Sequence, residues 1–572
     1  METASPKGAA APEKQNGALV IGASSVGTMF EWYDFFLYGS LVANINMHFY
    51  TGVNETTGYI LALATFAAGF IVRPFGALAF GRIGDIVGRK NTFLVTMIIM
   101  GIATFLVGLL PGAAWFEGNL GAGMGIIAPI LLVALRVLQG LAIGGEYGGA
   151  ATYIAEHAPA DRRGFFTSWI QITATIGLFI SLLVILGVRQ TMSPEDFNEW
   201  GWRIPFLLSA GLLVVSVWIR VQLNESPVFL KMKEEAATSK APLKEAFGKW
   251  KNVKWVLVAL FGCVMGQAVI WYTGTFYGLT YMKQTLRMDP AQADTLVAVS
   301  LLIGTPFYIF FGWLSDKIGR RYLILAGLLI PVFTYFPLFN MLTHSANPGL
   351  AAAIDTSPVV VRADPAACAL QFDPVGKNKF DTQSCDVAKA LLAKAGVSYN
   401  ATELPAGSPA EIQIGGQSYP APAVETMAPA DRAPAIAAYN AEVSEALKAA
   451  GYPANADKNL VNAAMVVALL FFTQLCTAMV YGPMAAMLVE LFPAKVRYTS
   501  MSLPYHIGNG WFGGLLPTIA FAIVASTGNI YAGIWYPTII AGITFVVALF
   551  FLPETYKRDI THDKSGPVNP GS

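Results

Sequence analysis

Twelve runs of about twenty apolar residues are spread along the chain, near 18–45, 57–80, 92–111, 121–147, 165–188, 203–221, 254–281, 292–313, 322–343, 461–488, 498–525 and 531–552. Each is long enough to cross the roughly 30 Å hydrocarbon core of a bilayer as a helix. Inside lipid the backbone N–H and C=O groups must bond one another, and a continuous run of this length meets that demand as a helix. The expected fold is therefore an all-α membrane protein with twelve transmembrane helices. Composition agrees, since 55% of the 572 residues are hydrophobic and 13% charged, more apolar sequence than one water-soluble core absorbs. A net charge of +1 gives no reason to expect a nucleic-acid partner. The polar stretch 1–17 has neither a short apolar region nor a small-residue cleavage site, so no cleaved signal peptide is expected.

Counted alternately, the loops on one side carry Arg82, Arg89 and Lys90, then Arg162 and Arg163, Lys231 to Lys244, Lys317 to Arg321, and Lys495 and Arg497. The short loops opposite hold only Arg189, Lys283 and Arg287. The excess of positive charge places the first side, with both termini, in the cytoplasm of a cell that carries the chain in its (inner) membrane. The expected organisation is a cytoplasmic tail (1–17), a six-helix half (18–221), a central cytoplasmic loop (222–253), a second half (254–343 and 461–553) and a cytoplasmic tail (554–572). Residues 344–460 form an Ala/Pro-rich insertion between the ninth and tenth spans, expected outside the cytoplasm as a surface elaboration. It holds Cys368 and Cys385, two of four cysteines, which are candidates for a disulfide in an oxidising compartment.

The chain repeats itself. Gly81-Arg82-Ile83-Gly84-Asp85-Ile86-Val87-Gly88-Arg89-Lys90 returns as Gly312-Trp313-Leu314-Ser315-Asp316-Lys317-Ile318-Gly319-Arg320-Arg321, 231 residues later. Glu156 to Arg163 returns as Glu490 to Arg497, 334 residues later, the extra separation being about the size of the insertion. Two pseudo-symmetric six-helix halves follow, an organisation typical of secondary transporters whose substrate site lies between the repeats near the midplane.

The first span contains Glu31 and Asp34, which lie on one helical face. An acid at mid-membrane costs roughly 2.5 to 3.5 kcal/mol, so an acid there is a functional-site hypothesis by default. Its repeat, Gly266 to Thr273, keeps the Trp-Tyr pair as Trp271-Tyr272 and replaces the acids with Ile270 and Thr273. By the same offsets Arg73, Arg136 and Glu146 become Gly304, Leu470 and Val480, so all five embedded charges belong to the first half. Architecture is what the copies share, and chemistry is expected where they differ.

Gly81-x-x-x-Asp85-x-x-Gly88-Arg89-Lys90, with its degenerate second copy, resembles the signature of the major facilitator superfamily between spans two and three. Glu31-Trp32-Tyr33-Asp34-Phe35, Arg73-Pro74-Phe75-Gly76 and Arg136-x-x-Gln139-Gly140 with Gly144-Gly145-Glu146-Tyr147 are similar to its metabolite:proton symporter family. Glu225-Ser226-Pro227 and Pro553-Glu554-Thr555 look like the wider sugar-porter-type group. The resemblance covers nearly all of the chain except the insertion, and it implies uptake of a small carboxylate, or of an osmolyte such as proline or betaine, with a proton. No ATP, metal or other cofactor is expected, and no enzyme activity. A monomer in the bilayer, with a small molecule and a proton as its partners, suffices. A nutrient sensor on the same scaffold, reading its ligand through the insertion, is the alternative of another class.

The resemblance also implies a gate at the cytoplasmic face built from Gly81, Asp85, Gly88, Arg89, Glu156, Arg163, Asp316, Arg320, Glu490 and Arg497, whose ion pairs latch the halves. Proton coupling is expected at Asp34, Glu31, Arg136 and Glu146. Arg136, deep in span four, needs a partner, and Asp34 or Glu31 is the expected one. Asp34 is the better candidate for the proton, and Glu31 for shaping the site. Arg136 can alternatively hold a substrate carboxylate bidentately. Arg73 has two readings, snorkelling to the interface or binding substrate. The remaining substrate-site candidates are Tyr33, Gln139, Gln267, Trp271, Tyr272, Tyr277, Gln474, Tyr481, His506 and Asn509. His506 and Asn509, one turn apart in span eleven between Pro504 and Gly510, are the more pointed of them, because imidazole titrates near neutrality.

Overall fold

The computed structural model describes residues 17–51, 55–221, 225, 227–234, 241–369, 380–556 and 558–560; the side chains of Glu31 and Arg89 lie outside what is described, as do residues 1–16 and 561–572 of the expected tails. Eleven helices among the described residues are long and apolar enough to cross a membrane. The helix of span one, Gly17–Ser40, adds the twelfth crossing, continued past a break at Leu41 by Val42–Phe49.

Helix breaks follow the chemistry of the sequence. Proline has no N–H to donate and its ring crowds the preceding turn. Span two is accordingly divided at Val72 into Glu55–Ile71 and Arg73–Ile86, with Pro74 in the first turn of the second piece and Arg73 at the break. Span ten divides into Ala463–Tyr481 and Met484–Leu491, with Pro483 between them. Span four runs from Ile127 to His157, ten residues beyond the expected end at Tyr147, because its glycines sit against neighbouring helices instead of ending it. Spans seven and eleven carry π-helical turns, at Leu260–Val264, Thr273–Tyr277 and Tyr281–Thr285 in the one and Gly508–Gly513 in the other. Such turns frequently occur at functional sites.

Packing repeats with the sequence. In the first half span one lies along five and six, two along four, and three along four and six. In the second half seven lies along eleven and twelve, eight along ten, and nine along ten and twelve. The most extensive crossings between the halves are span two with eleven and span five with eight, and each is the other's counterpart under the repeat.

The insertion folds as an α/β unit. Its strands are β1 (Val359–Ala363), β2 (Tyr399–Glu403), β3 (Glu411–Ile414) and β4 (Gln417–Pro420), in the order β2-β1-β3-β4, with β1 and β2 parallel and the other pairs antiparallel. Gly415 and Gly416, at φ +56° and +90°, form the two-residue turn between β3 and β4, a conformation that favours glycine. Val359, Val361, Ala363, Ile412 and Ile414 bury one face of the sheet, with Leu392, Val443 and Leu447 also in the core. The helix Pro429–Ala449 supplies Tyr439, Val443 and Leu447 to this core. Cys368 and Cys385 are joined by a disulfide, their Cα atoms 5.3 Å apart.

The described polar contacts between the insertion and the helical bundle go to the second half. Tyr399 N donates to Gly528 O (3.0 Å), Ala456 N to Arg287 O (3.0 Å) and Asn347 Nδ2 to Leu286 O (3.0 Å). Lys458 pairs with Asp289 at 2.8 Å and holds its carboxyl below the usual range.

Candidate transport site and gate

At the end of the bundle away from the insertion, the two halves exchange caps and charges. Asp85, at the end of span two, accepts from Thr499 N (3.0 Å) and Thr499 Oγ1 (2.7 Å), capping the first turn of span eleven. Asp316, its repeat, accepts from Gly164 N and Phe165 N at 2.8 Å each, capping span five. Both carboxylates thus meet the positive end of a helix in the opposite half. Arg497 pairs with Glu156 at 2.7 Å and Arg163 with Glu490 at 2.8 Å, again across the halves. Arg320 takes both oxygens of Glu490, through Nη2 and Nε at 3.0 Å each, and pairs with Asp316 at 2.8 Å. Gly88 has φ +131°, a region disfavoured for residues with a side chain, and Gly81 lies against the Thr499 backbone. These latch charges are buried, and removing one partner of a buried pair costs about 3–5 kcal/mol.

The other end of the junction is aromatic. Phe36 of span one stands 5.4 Å from Phe276 and 6.2 Å from Trp271 of span seven, and Phe70 of span two 5.8 Å from Tyr272. Trp511 Nε1 donates to Ile71 O at 3.2 Å.

Between these two closures lies Arg73, 1% exposed and not snorkelled. The break at Val72 sets it inward, where its guanidinium lies 4.4 Å from the Phe35 ring, 4.3 Å from Phe70 and 5.5 Å from Trp32. Tyr272, Tyr481, Tyr505 and His506 of the second half are within electrostatic reach of it. Tyr481 and Tyr505 share a hydrogen bond of 2.6 Å, and Tyr147 of span four stacks on Tyr505 with ring centroids 3.4 Å apart. Nε and Nη2 of Arg73, and both ring nitrogens of His506, have no hydrogen-bond partner among the described residues. His506 also lines a void of about 10 Å³, room for the centre of about one water, together with Thr28, Trp32, Ile143, Glu146 and Tyr147.

Arg136 is placed differently from the expectation. Among the described residues no ion pair joins it to Asp34. Its Nη1 donates to Gln139 Oε1 at 2.6 Å, and its guanidinium lies over Tyr38 (4.4 Å), Phe35 (4.7 Å) and Phe66 (5.2 Å). Ring faces carry negative charge and compensate a buried cation without an acid. Asp34 is itself buried. Gln139 donates onward to Thr104 Oγ1 (2.8 Å) and the Tyr33 hydroxyl to Pro205 O (2.9 Å), so both side chains are engaged within the first half. Tyr277 packs inside the second half against Phe339 and Phe521, and Gln474 donates to Thr275 Oγ1 and accepts from the Tyr308 hydroxyl. Gln267 and Trp271 are buried, with Gln267 Nε2 and Oε1 and Trp271 Nε1 lacking hydrogen-bond partners among the described residues. Asn509 Nδ2 donates to Tyr505 O. Sequence reasoning missed Arg220, which pairs with Glu146 at 3.1 Å and is 2% exposed. Its place at the end of span six reads as an ordinary boundary charge; the buried acid it answers was the available signal.

Two six-helix bundles, latched at one end and enclosing a buried polar junction, have the form of a membrane transporter. Comparisons agree. The sequence profile described as "Sugar (and other) transporter" matches residues 19–249 and 446–563, and the one described as "MFS/sugar transport protein" matches 150–361. Between residues 19 and 563 they leave 362–445 unmatched, wholly inside the insertion. The Escherichia coli K12 shikimate transporter is 35% identical over 325 residues, 56% of this chain and 71% of the relative. The alpha-ketoglutarate permease of the same organism is 36% identical (58% and 72% covered), and the Salmonella typhimurium proline/betaine transporter 33% (57% and 65%). In fold, the proton:xylose symporter XylE superposes with a TM-score of 0.58 at 16% identity, over 95% of this chain and 98% of that one. The chain belongs to the sugar (and other) transporter family of the major facilitator superfamily. It is a multi-pass membrane transporter, not an enzyme.

Proposed function

We propose that this transporter takes up a small organic anion, a mono-, di- or tricarboxylate, together with a proton, by alternating access between its halves. The observation that carries the reading is Arg73: a buried guanidinium at the junction, with two nitrogens free of hydrogen bonds among the described residues, facing tyrosines and a histidine of the other half. A carboxylate entering there would meet a planar donor on one side and hydroxyls on the other, the charge-assisted arrangement that guanidinium favours. Two relatives are named for shikimate and alpha-ketoglutarate, both carboxylates. The positively charged loops support a cytoplasmic latch end and an extracytoplasmic insertion. Asp34 is assigned the coupled proton, and the protein works as a monomer.

The reading is tested by thermal unfolding of purified protein with shikimate, 2-oxoglutarate, proline and betaine at two pH values. A ligand at a hundred times its Kd stabilises by about 2.7 kcal/mol. Stabilisation by carboxylates, with pH dependence, is expected; stabilisation by betaine or proline alone would overturn the anion assignment. In proteoliposomes Asp34→Asn should exchange substrate yet fail to concentrate it on a pH gradient.

A further inference from the structure

Glu146 lies in span four, ten residues before Glu156 of the latch, between the central void and the latched end. Its carboxylate meets the Arg220 guanidinium of span six at 3.1 Å, and both residues are nearly fully buried. Arg220 is held on the other side by the Phe93 ring of span three, 3.4 Å from its Cζ. Its approach depends on Gly27 in span one, where a Cβ would lie 2.7 Å from the Arg220 Cζ. Spans one, three and four thus close around one buried guanidinium that meets the Glu146 carboxylate. The same acid lines the void that reaches the second half.

We infer that Arg220 is the counter-ion that sets when Glu146 takes up and gives back a proton, making the pair a proton-exchange site on the latch side of the substrate junction. The Glu146 carboxylate accepts a proton to become the neutral acid, and the pairing with Arg220 opposes that step; the proton leaves when the pair re-forms. Arg220 is a positioning residue, acting only through Glu146. From span eleven, His506 is the titratable group lining the void, within reach of the Arg73 charge; span four adds Tyr147, and among the described side chains of span one the lining holds Thr28 and Trp32, which do not titrate. This device rests on the proton-coupled reading above and adds to it the group that answers the proton after Asp34.

Infrared difference spectroscopy on reconstituted protein, titrated without substrate, reads the carboxylic-acid C=O band directly. Glu146→Gln should remove one titrating component. Arg220→Gln should move that component's midpoint upward by at least one pH unit, and Arg220→Lys, which keeps a positive charge without the fork, by less. A midpoint equal to wild type in Arg220→Gln, or a spectrum unchanged by Glu146→Gln, overturns the inference. If Arg220→Gln does not fold, the Arg220→Lys midpoint decides, and no shift there overturns it as well. Because no substrate is used, failure here leaves the transport reading standing. Wild-type uptake indifferent to a pH gradient would remove the coupled reading and leave the titration intact.

Discussion

At the residue scale, two arginines in the same half have different surroundings, and this separates their expected roles. Arg73 faces the second half; Arg136 is enclosed by Tyr38, Phe35, Phe66 and Gln139 of its own half. Arg73→Gln should therefore weaken binding of a stabilising carboxylate roughly ten- to hundredfold, the effect of losing about 1.5–3 kcal/mol of charge-assisted hydrogen bonding. Arg136→Gln should instead lower the unfolding temperature of the ligand-free protein and change the carboxylate Kd far less. Titrating both variants by thermal shift distinguishes the two. The sequence showed both charges and showed that the second copy lacks them, but not which one faces the junction. That choice depends on helix rotation and on the break at Val72, and Pro74 was its only visible sign. The aromatic cages were hidden for a related reason: Phe35, Phe66 and Phe70 look like ordinary lipid-facing apolar residues until their neighbours are known.

At the element scale, the latch is made by helix ends. Glu490→Gln should release Arg163 and Arg320 together and favour opening of that end by about 3–5 kcal/mol. Spin labels at the exposed positions 162 and 317 should report a longer distance between spans five and eight in that variant. Glu554 holds Arg320 N and Arg321 N at 3.0 Å each, and Glu225 accepts from Lys90 N at 3.2 and 3.3 Å, so the two short motifs after spans six and twelve cap spans three and nine. Helix packing gives a second test. Gly76 lies on the Leu141 carbonyl and Gly140 on the Gly69 carbonyl, so spans two and four touch backbone to backbone. Gly76→Val should cost about 1–3 kcal/mol by overpacking, read as a lower unfolding temperature with the gate residues intact. Gly140, Gly144, Gly145, Gly148 and Gly149 are small residues that let helices approach closely. The continuation of span four to His157 was not legible, because glycine signals a helix end in water, whereas in lipid the backbone bonds must be kept.

At the scale of the whole molecule, the repeat offsets already contained the architecture, since the paired motifs recur in the same order with a spacing that differs by about the size of the insertion, and the helix contacts of the two halves correspond one for one. The insertion was far less legible. Its strands are four or five residues long in an Ala/Pro-rich background, too short for alternation to stand out, and β1 pairs with β2 across some forty residues of chain. Its disulfide closes a separation of 17 residues. Replacing both Cys368 and Cys385 with serine should therefore cost the insertion about 3 kcal/mol on the chain-entropy account, seen as faster hydrogen exchange in 359–449 and unchanged exchange in the spans. Deleting the insertion should leave uptake intact in a transporter and abolish the response of a sensor. The insertion's described polar contacts to the bundle, at Leu286, Arg287, Asp289, Gln292, Gly528 and Ile530, all belong to one of the two bodies that tilt against each other in the proposed cycle. A rigid antibody fragment bound to this unit would therefore turn with that body, so that polarised fluorescence from the fragment could follow each transport cycle from outside the membrane while touching no part of the path the substrate takes.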